Sequence, residues 1–178
     1  VDALGRLGFQ VVLAEYPGYG ARDGQTSERA LVTDGKETVR RAAQEFGSPI
    51  YIWGESLGSG VATAVAADGS LPVDGLALIT PFTSLADVAQ AVYRPLPVRW
   101  LVRDRYDNIE NLQSFQKPVA VLIAEQDELI PLHQAQELYD SLTTRKRLWV
   151  WSGAGHNTWP AGPGVPWWAE VAGFLERD

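Results

Sequence analysis

The sequence predicts an α/β protein: a mainly parallel sheet with helices on both faces. Three observations carry that prediction. Short apolar, β-branched runs alternate with helix-patterned segments along the chain, the alternation that gives parallel strands joined by crossover helices. One run, 50–54, drives into Gly54-Glu55-Ser56-Leu57-Gly58 and then into a small-residue helix over 58–67. Ser56, Asp127 and His156 each stand just beyond a separate strand.

Taken in order, residues 1–7 read as the end of a helix that Gly8 stops. The run 9–16 (Phe-Gln-Val-Val-Leu-Ala-Glu-Tyr) has the composition of a buried strand, and Pro17-Gly18-Tyr19-Gly20 turns the chain. Ser27 is a cap, and Leu31, Val32, Val39 and Phe46 recur among charges up to Gly47, which predicts a helix over 27–46. Its Lys36, Glu37, Arg40, Arg41 and Glu45 read as a solvated face. Pro49 opens the strand 50–54. A serine at the tip of the turn that follows needs a strained backbone, and the glycines two residues either side, Gly54 and Gly58, remove bulk where strand and helix nearly touch. Gly60 and the alanines after it let the helix approach the sheet.

A third strand is predicted over 73–80. Residues 85–117 are less regular and form a short insert within one domain spanning 1–178; they hold Pro95, Pro97, Trp100 and the arginines 94, 99, 103 and 105. Pro118 opens the strand 119–124, the loop 125–131 leaves it, and a helix over 132–142 follows. The last strand is 147–151, its exit loop 152–157, and an amphipathic helix over 167–175 ends the chain. There is no internal repeat and no charge block. Loops that follow parallel strands gather at one rim of the sheet, where ligands bind in such folds.

Composition narrows the function. With 178 residues, 46% hydrophobic and 21% charged, the chain is large enough for one real core. A net charge of −7 speaks against a nucleic-acid surface, because no excess of Lys and Arg displaces counterions. No apolar run reaches the roughly 20 residues of a membrane helix. The absence of cysteine rules out disulfides, thiolate metal sites and a cysteine nucleophile, and two histidines, His133 and His156, make a histidine-rich metal centre unexpected. No metal or cofactor is expected. A soluble, cytoplasmic domain is the expectation. The sequence has no methionine and opens at Val1 inside a helical pattern, so a missing N-terminal stretch, with any leader or anchor, is also expected. Oligomeric state is not legible.

A serine hydroxyl is a poor nucleophile at neutral pH and needs an adjacent base. Imidazole can take and return a proton near neutrality, and a carboxylate on its far nitrogen fixes the tautomer. Ser56, Asp127 and His156 can converge at the rim to supply these groups. Glu125, Glu128 and Asp87 are alternatives to Asp127 as the acid. His133 reads as a surface or capping residue. Trp159 and Trp100 are candidates for an apolar substrate wall, against plain packing. The four insert arginines read as solvated surface, with attraction of an anionic substrate as the alternative.

These motifs resemble the α/β-hydrolases. The elbow Gly54–Gly58, the acid loop Glu125-Gln126-Asp127-Glu128-Leu129-Ile130-Pro131 and the histidine loop Gly153-Ala154-Gly155-His156-Asn157 carry the resemblance, together with Tyr16-Pro17-Gly18-Tyr19-Gly20. The similarity is greatest to small, single-domain, lipase-like or serine-aminopeptidase-like members. It implies a serine hydrolase that cleaves a small-molecule carboxylic ester or thioester through an acyl-enzyme, with the Leu57 N–H in the oxyanion hole. A non-catalytic binding module on the same fold, or a peptidase with the same triad, is the alternative. Pro17 replaces the arginine usual in that turn. The resemblance also implies a strand ahead of residue 1, central in the sheet beside 9–16 and 50–54, whose loop gives the second oxyanion donor. Either the sequence is part of a longer chain, or 9–16 shifts inward.

Overall fold

The computed structural model describes residues 1–93 and 95–177. In chain order the elements are α1 (Asp2–Arg6), α2 (Glu28–Phe46), β1 (Tyr51–Glu55), α3 (Leu57–Ala66), β2 (Gly75–Ile79), α4 (Leu85–Val92), a 3₁₀ turn (Val98–Trp100), α5 (Asn108–Leu112), β3 (Val119–Ala124), α6 (Leu132–Ser141), β4 (Lys146–Trp151) and α7 (Trp167–Leu175). The four strands form one parallel sheet in the order β1-β2-β3-β4. Each β-to-β crossover advances in the same direction, and crossovers of one hand then lie on one face. The packing agrees: α2, α3, α5 and α6 share a core with that face.

Strand alternation divides the two cores. On β2 and β3, Leu76, Leu78, Val119, Val121 and Ile123 face the crossover helices. Ala77, Ala120 and Ala124 point the other way. Those small side chains leave room for indoles, and six of the seven tryptophans gather there with α7: Trp53, Trp149, Trp151, Trp159, Trp167 and Trp168. On the crossover face α2 presents Leu31, Gly35 and Val39 at a four-residue spacing. A Cβ at Gly35 would lie 2.9 Å from Val65 Cγ2, so the glycine sets how closely α2 meets α3.

Two expectations need correcting. The run 9–16 is not a buried strand. It joins no ladder among the described residues, and Val12 and Leu13 are 49% and 75% exposed. A β-rich composition yields a strand only where an edge offers partners, and β1 pairs with β2. The ends of the run are anchored: Phe9 sets its ring edge-on to Tyr51, and Tyr16 packs on the crossover-face core. The insert 85–117 is more regular than expected. Ser84 caps α4 by accepting from Asp87 N (3.1 Å) and donating to the Asp87 carboxylate (2.7 Å), and Asp107 caps α5. Arg94, one of the four insert arginines, lies outside the described residues.

A buried polar knot fixes the insert to the body. Asn108, wholly buried, donates to the Phe82 carbonyl (2.8 Å) and accepts from Thr63 of α3 (2.6 Å). Asn108→Ala leaves the Phe82 carbonyl without its donor, while Thr63 keeps the Gly60 carbonyl (3.1 Å), and is expected to lower stability by about 1–3 kcal/mol. The check is urea denaturation followed by tryptophan fluorescence.

Candidate active site

Because the sheet is parallel, the loops after β1, β2, β3 and β4 open at one rim. Ser56 stands there between β1 and α3 with φ +50° and ψ −120°, a backbone conformation that non-glycine residues adopt at a cost on the order of 1–3 kcal/mol. Neighbours hold it on both sides. Its N–H donates to the Ile79 carbonyl at 2.9 Å, extending the β1–β2 ladder by one residue. Its carbonyl accepts from Ser59 N at 2.9 Å and from Ser59 Oγ at 2.6 Å.

The two motif glycines are not equivalent. A Cβ on Gly54 would meet the Gly58 carbonyl oxygen at 2.5 Å and Ala62 Cβ at 2.8 Å, so strand and helix require glycine there. A Cβ on Gly58 would meet only Tyr16 Oη, at 3.6 Å, an ordinary contact. Gly60 matters for a different reason from the expected one. A Cβ there would strike Tyr106 atoms at 2.8 Å, so it makes way for the buried tyrosine ahead of α5 rather than for the sheet.

The side chains meet as a chain of hydrogen bonds. His156 Nε2 is 2.9 Å from Ser56 Oγ, and His156 Nδ1 is 2.8 Å from Asp127 Oδ2. The imidazole and carboxylate side chains are each only 5% exposed. Asp127 is further fixed through Oδ1, which accepts from Leu129 N (2.9 Å) and Ile130 N (2.8 Å). An acceptor-only carboxylate on Nδ1 favours the tautomer with its proton on Nδ1, leaving Nε2 free to accept from the serine. The N–H of Leu57, first residue of α3, has no intrahelical partner and lies beside Ser56.

The other candidate acids have different partners. Asp87 accepts from the cap Ser84 Oγ (2.7 Å) and pairs with Arg99 at 3.5 Å. Glu125 accepts from Gly153 N (2.9 Å), and Glu128 accepts from the backbone N–H of His156 (3.0 Å). These two glutamates stitch the loop after β3 to the loop after β4, a role that sequence reasoning missed. A Cβ on Gly155 would fall 2.7 Å from Glu128 Oε2, so the glycine before His156 gives the glutamate its seat. Glutamates flanking the acid and a Gly-x-Gly before the histidine were the available signal.

The bonds from His156 N–H and from its own N–H hold the Glu128 carboxyl below the ordinary carboxylate value. A depressed folded value means the lock contributes above the unfolded value near 4.5 and is lost as pH falls through the folded one. Glu128→Ala is expected to lower kcat about 10-fold or more with KM unchanged, since it loosens the histidine without touching substrate. Glu128→Gln keeps an acceptor and should restore most of the rate while flattening acid unfolding below that window. Steady-state kinetics and pH-dependent melting check both.

Trp159 donates from Nε1 to Glu55 Oε1 at 3.1 Å and stacks on Trp151, with centroids 5.1 Å apart and planes at 11°. Trp100 lies on the 3₁₀ turn, 87% exposed. His133 is exposed in the first turn of α6. It lines a cleft of about 440 Å³ with Thr83, Asp87, Gln90, Arg99 and Gln134. Among the described residues no cluster of three or more histidine or carboxylate side chains could hold a metal ion.

Comparison with known proteins agrees with this fold. The model of a hydrolase family described as serine aminopeptidase, S33, matches residues 1–105, more than half of the chain. An uncharacterized protein of Mycobacterium tuberculosis, Rv2307c, is 39% identical over 163 residues, covering 87% of this chain and 56% of its own length. The lysophosphatidylserine lipase ABHD12 of Danio rerio is 36% identical over 162 residues, covering 82% of this chain and 42% of the lipase. The chain thus spans about half the length of the curated relatives it matches. In fold it is similar to an α/β serine hydrolase homologue from Coxiella burnetii (TM-score 0.68, 21% identity, 98% of this chain and 71% of that one). The Pyrococcus furiosus esterase Pf2001 is similar too (TM-score 0.67, 20% identity, 92% and 68%). A parallel sheet with a serine on a strained strand-to-helix turn, and a family match that spans that turn, make the chain a member of the S33 serine aminopeptidase family of α/β-hydrolases.

Proposed function

We propose that this chain carries the catalytic centre of a serine hydrolase that cleaves a carboxylic ester or thioester through an acyl-enzyme. The observation that carries the reading is the hydrogen-bonded run Ser56 Oγ, His156 Nε2, His156 Nδ1, Asp127 Oδ2, with contacts of 2.9 and 2.8 Å. Ser56 is the nucleophile: its oxygen adds to the carbonyl carbon while its proton passes to His156 Nε2. Asp127 keeps the ring oriented and steadies the imidazolium. The Leu57 N–H donates to the oxyanion. As the tetrahedral adduct collapses, His156 returns the proton to the departing alkoxide or thiolate. Water then adds to the acyl-enzyme, with His156 again as base, and releases the acid and a free Ser56.

The substrate class proposed is a monoacyl ester with a polar alcohol portion, as the lysophosphatidylserine lipases among the relatives suggest. Trp159, tied to Glu55 of the elbow, is proposed as apolar wall. An aminopeptidase would need a free carboxylate for the substrate's ammonium group. The glutamates of the elbow and of the acid loop each hold a partner instead: Glu55 with Trp159, Glu125 with Gly153 and Glu128 with His156. Ester cleavage is therefore favoured over peptide cleavage. Turnover of p-nitrophenyl butyrate against aminoacyl p-nitroanilides tests this. The ester is expected to have the higher kcat/KM, and the opposite ranking overturns the ester reading.

A further inference from the structure

We infer that Glu55 and Trp159 form a strut between the nucleophile turn and the histidine loop. Glu55 is then a positioning residue for the hydrolysis proposed above, on which this inference rests. Ser56 follows β1 and His156 follows β4, the two outer strands of the four-stranded sheet. Neighbouring strands lie about 4.8 Å apart, so about 14 Å separates β1 from β4. The histidine loop must reach back over β3 and β2 to bring Nε2 within 2.9 Å of Ser56 Oγ. Glu125 and Glu128 hold that loop to the acid loop after β3, short of the elbow. Among the described residues, two hydrogen bonds join the elbow to the chain beyond β4. One is the His156–Ser56 contact itself. The other runs from Trp159 Nε1 to Glu55 Oε1 at 3.1 Å.

The sequence builds the strut from both ends. On β1, Tyr51, Trp53 and Glu55 share one face of the strand by its period of two, and the first two pack on the indole layer. Glu55 therefore leaves the strand end on the indole side. On β4, Trp149 and Trp151 belong to the same layer. Trp159 lies flat on Trp151, and Trp167 sets its ring edge-on to both, with centroids 5.1 and 5.9 Å away. Ala77 of β2 and Ala124 of β3 lie in this layer too, and they are too small to obstruct an indole that crosses between the outer strands.

An exposed polar contact is usually weak, because two side chains must be ordered to make it. Here stacking has already ordered the indole, so only the glutamate remains to be fixed. Its carboxylate accepts more strongly than a neutral group would. Glu55 acts on the reaction through Trp159 and the loop that carries His156, and this decides the test.

The test compares Glu55→Ala, Glu55→Gln, Trp159→Phe and the double variant Glu55→Ala/Trp159→Phe. Phenylalanine keeps a ring for Trp151 and removes the N–H. On p-nitrophenyl butyrate, Glu55→Ala is expected to lower kcat about 10-fold with KM changed less than about twofold. Glu55→Gln should recover most of the loss, because its amide oxygen still accepts. The double variant should have a kcat no lower than that of the slower single variant, since both changes cut one bond. Backbone amide exchange over residues 155–159 should quicken about 10-fold in Glu55→Ala and stay at the wild-type rate in Glu55→Gln. An unchanged melting temperature in the two Glu55 variants separates positioning from unfolding. Wild-type kcat and exchange in Glu55→Ala overturn the proposal. So does a loss confined to KM, which would make Glu55 a substrate contact, or a multiplicative loss of kcat in the double variant. A wild type that turns over no ester would sink the hydrolase reading, and the exchange contrast would then decide the strut by itself.

Discussion

Ser56→Ala is expected to reduce kcat for a short p-nitrophenyl ester by on the order of 10⁴–10⁶, with folding and melting temperature unchanged. Alanine removes the attacking oxygen and little else, because the strained turn is held through the Ser56 N–H and carbonyl, which alanine retains. His156→Ala should cost a similar factor, and the double variant should be no slower than either single one, since the two groups act in one step. Asp127→Asn is expected to lower kcat by about 10⁴, because the amide can present an N–H to Nδ1 and favour the unproductive tautomer. Its thermodynamic effect is separate: Oδ1 also holds the Leu129 and Ile130 N–H groups, and an amide oxygen accepts there less strongly than a carboxylate. Residual hydrolysis by Ser56→Ala above the rate in buffer, resistant to repurification, would show another nucleophile at work.

Gly54→Ala should be the most disruptive single-methyl change at the elbow, and Gly58→Ala one of the mildest. The Gly54 methyl would press within 2.5 Å of the Gly58 carbonyl oxygen and 2.8 Å of Ala62 Cβ, and both partners belong to the backbone and first turns of α3. Nothing there can swing aside, so strand and helix must separate. A loss of about 3 kcal/mol is expected, equivalent to a fall of about 6–12 °C in Tm for a chain of this size. The shift moves Ser56 relative to His156, so kcat should fall in the protein that remains folded. Gly58→Ala adds an ordinary 3.6 Å contact with Tyr16 Oη inside a helix, and alanine is the better helix former there by up to about 1 kcal/mol. Thermal melts of the two variants side by side check the contrast, and equal destabilisation would contradict the reading of the elbow.

Much of the fold was legible because its signals were local. The helices around Leu31 and Leu138 repeat at helical spacing, and each sheet strand after residue 50 is a short apolar run closed by Gly, Pro or an acidic loop. The run 9–16 was misread because strand composition says nothing about whether an edge is available to pair with. The insert was misread because Pro95 and Pro97 suggested irregularity, while the caps that organise its helices, Ser84 and Asp107, are single residues easily passed over. The meeting of Ser56, Asp127 and His156 could be expected from sequence because each follows a strand of one parallel sheet. The inequality of Gly54 and Gly58 could not, since it depends on how closely Ala62 returns to the strand. The same is true of Glu125 and Glu128, whose partners lie 28 residues away in the histidine loop.

Ser56 is proposed to be activated by His156. Treatment with a fluorophosphonate, followed by tandem mass spectrometry of the adduct, tests it most directly, because the reagent forms a covalent bond only with an activated hydroxyl. One adduct is expected, on Ser56, and none after His156→Ala. A folded protein that forms no adduct, that carries it on another serine such as Ser59, or that labels equally well without the imidazole would contradict it.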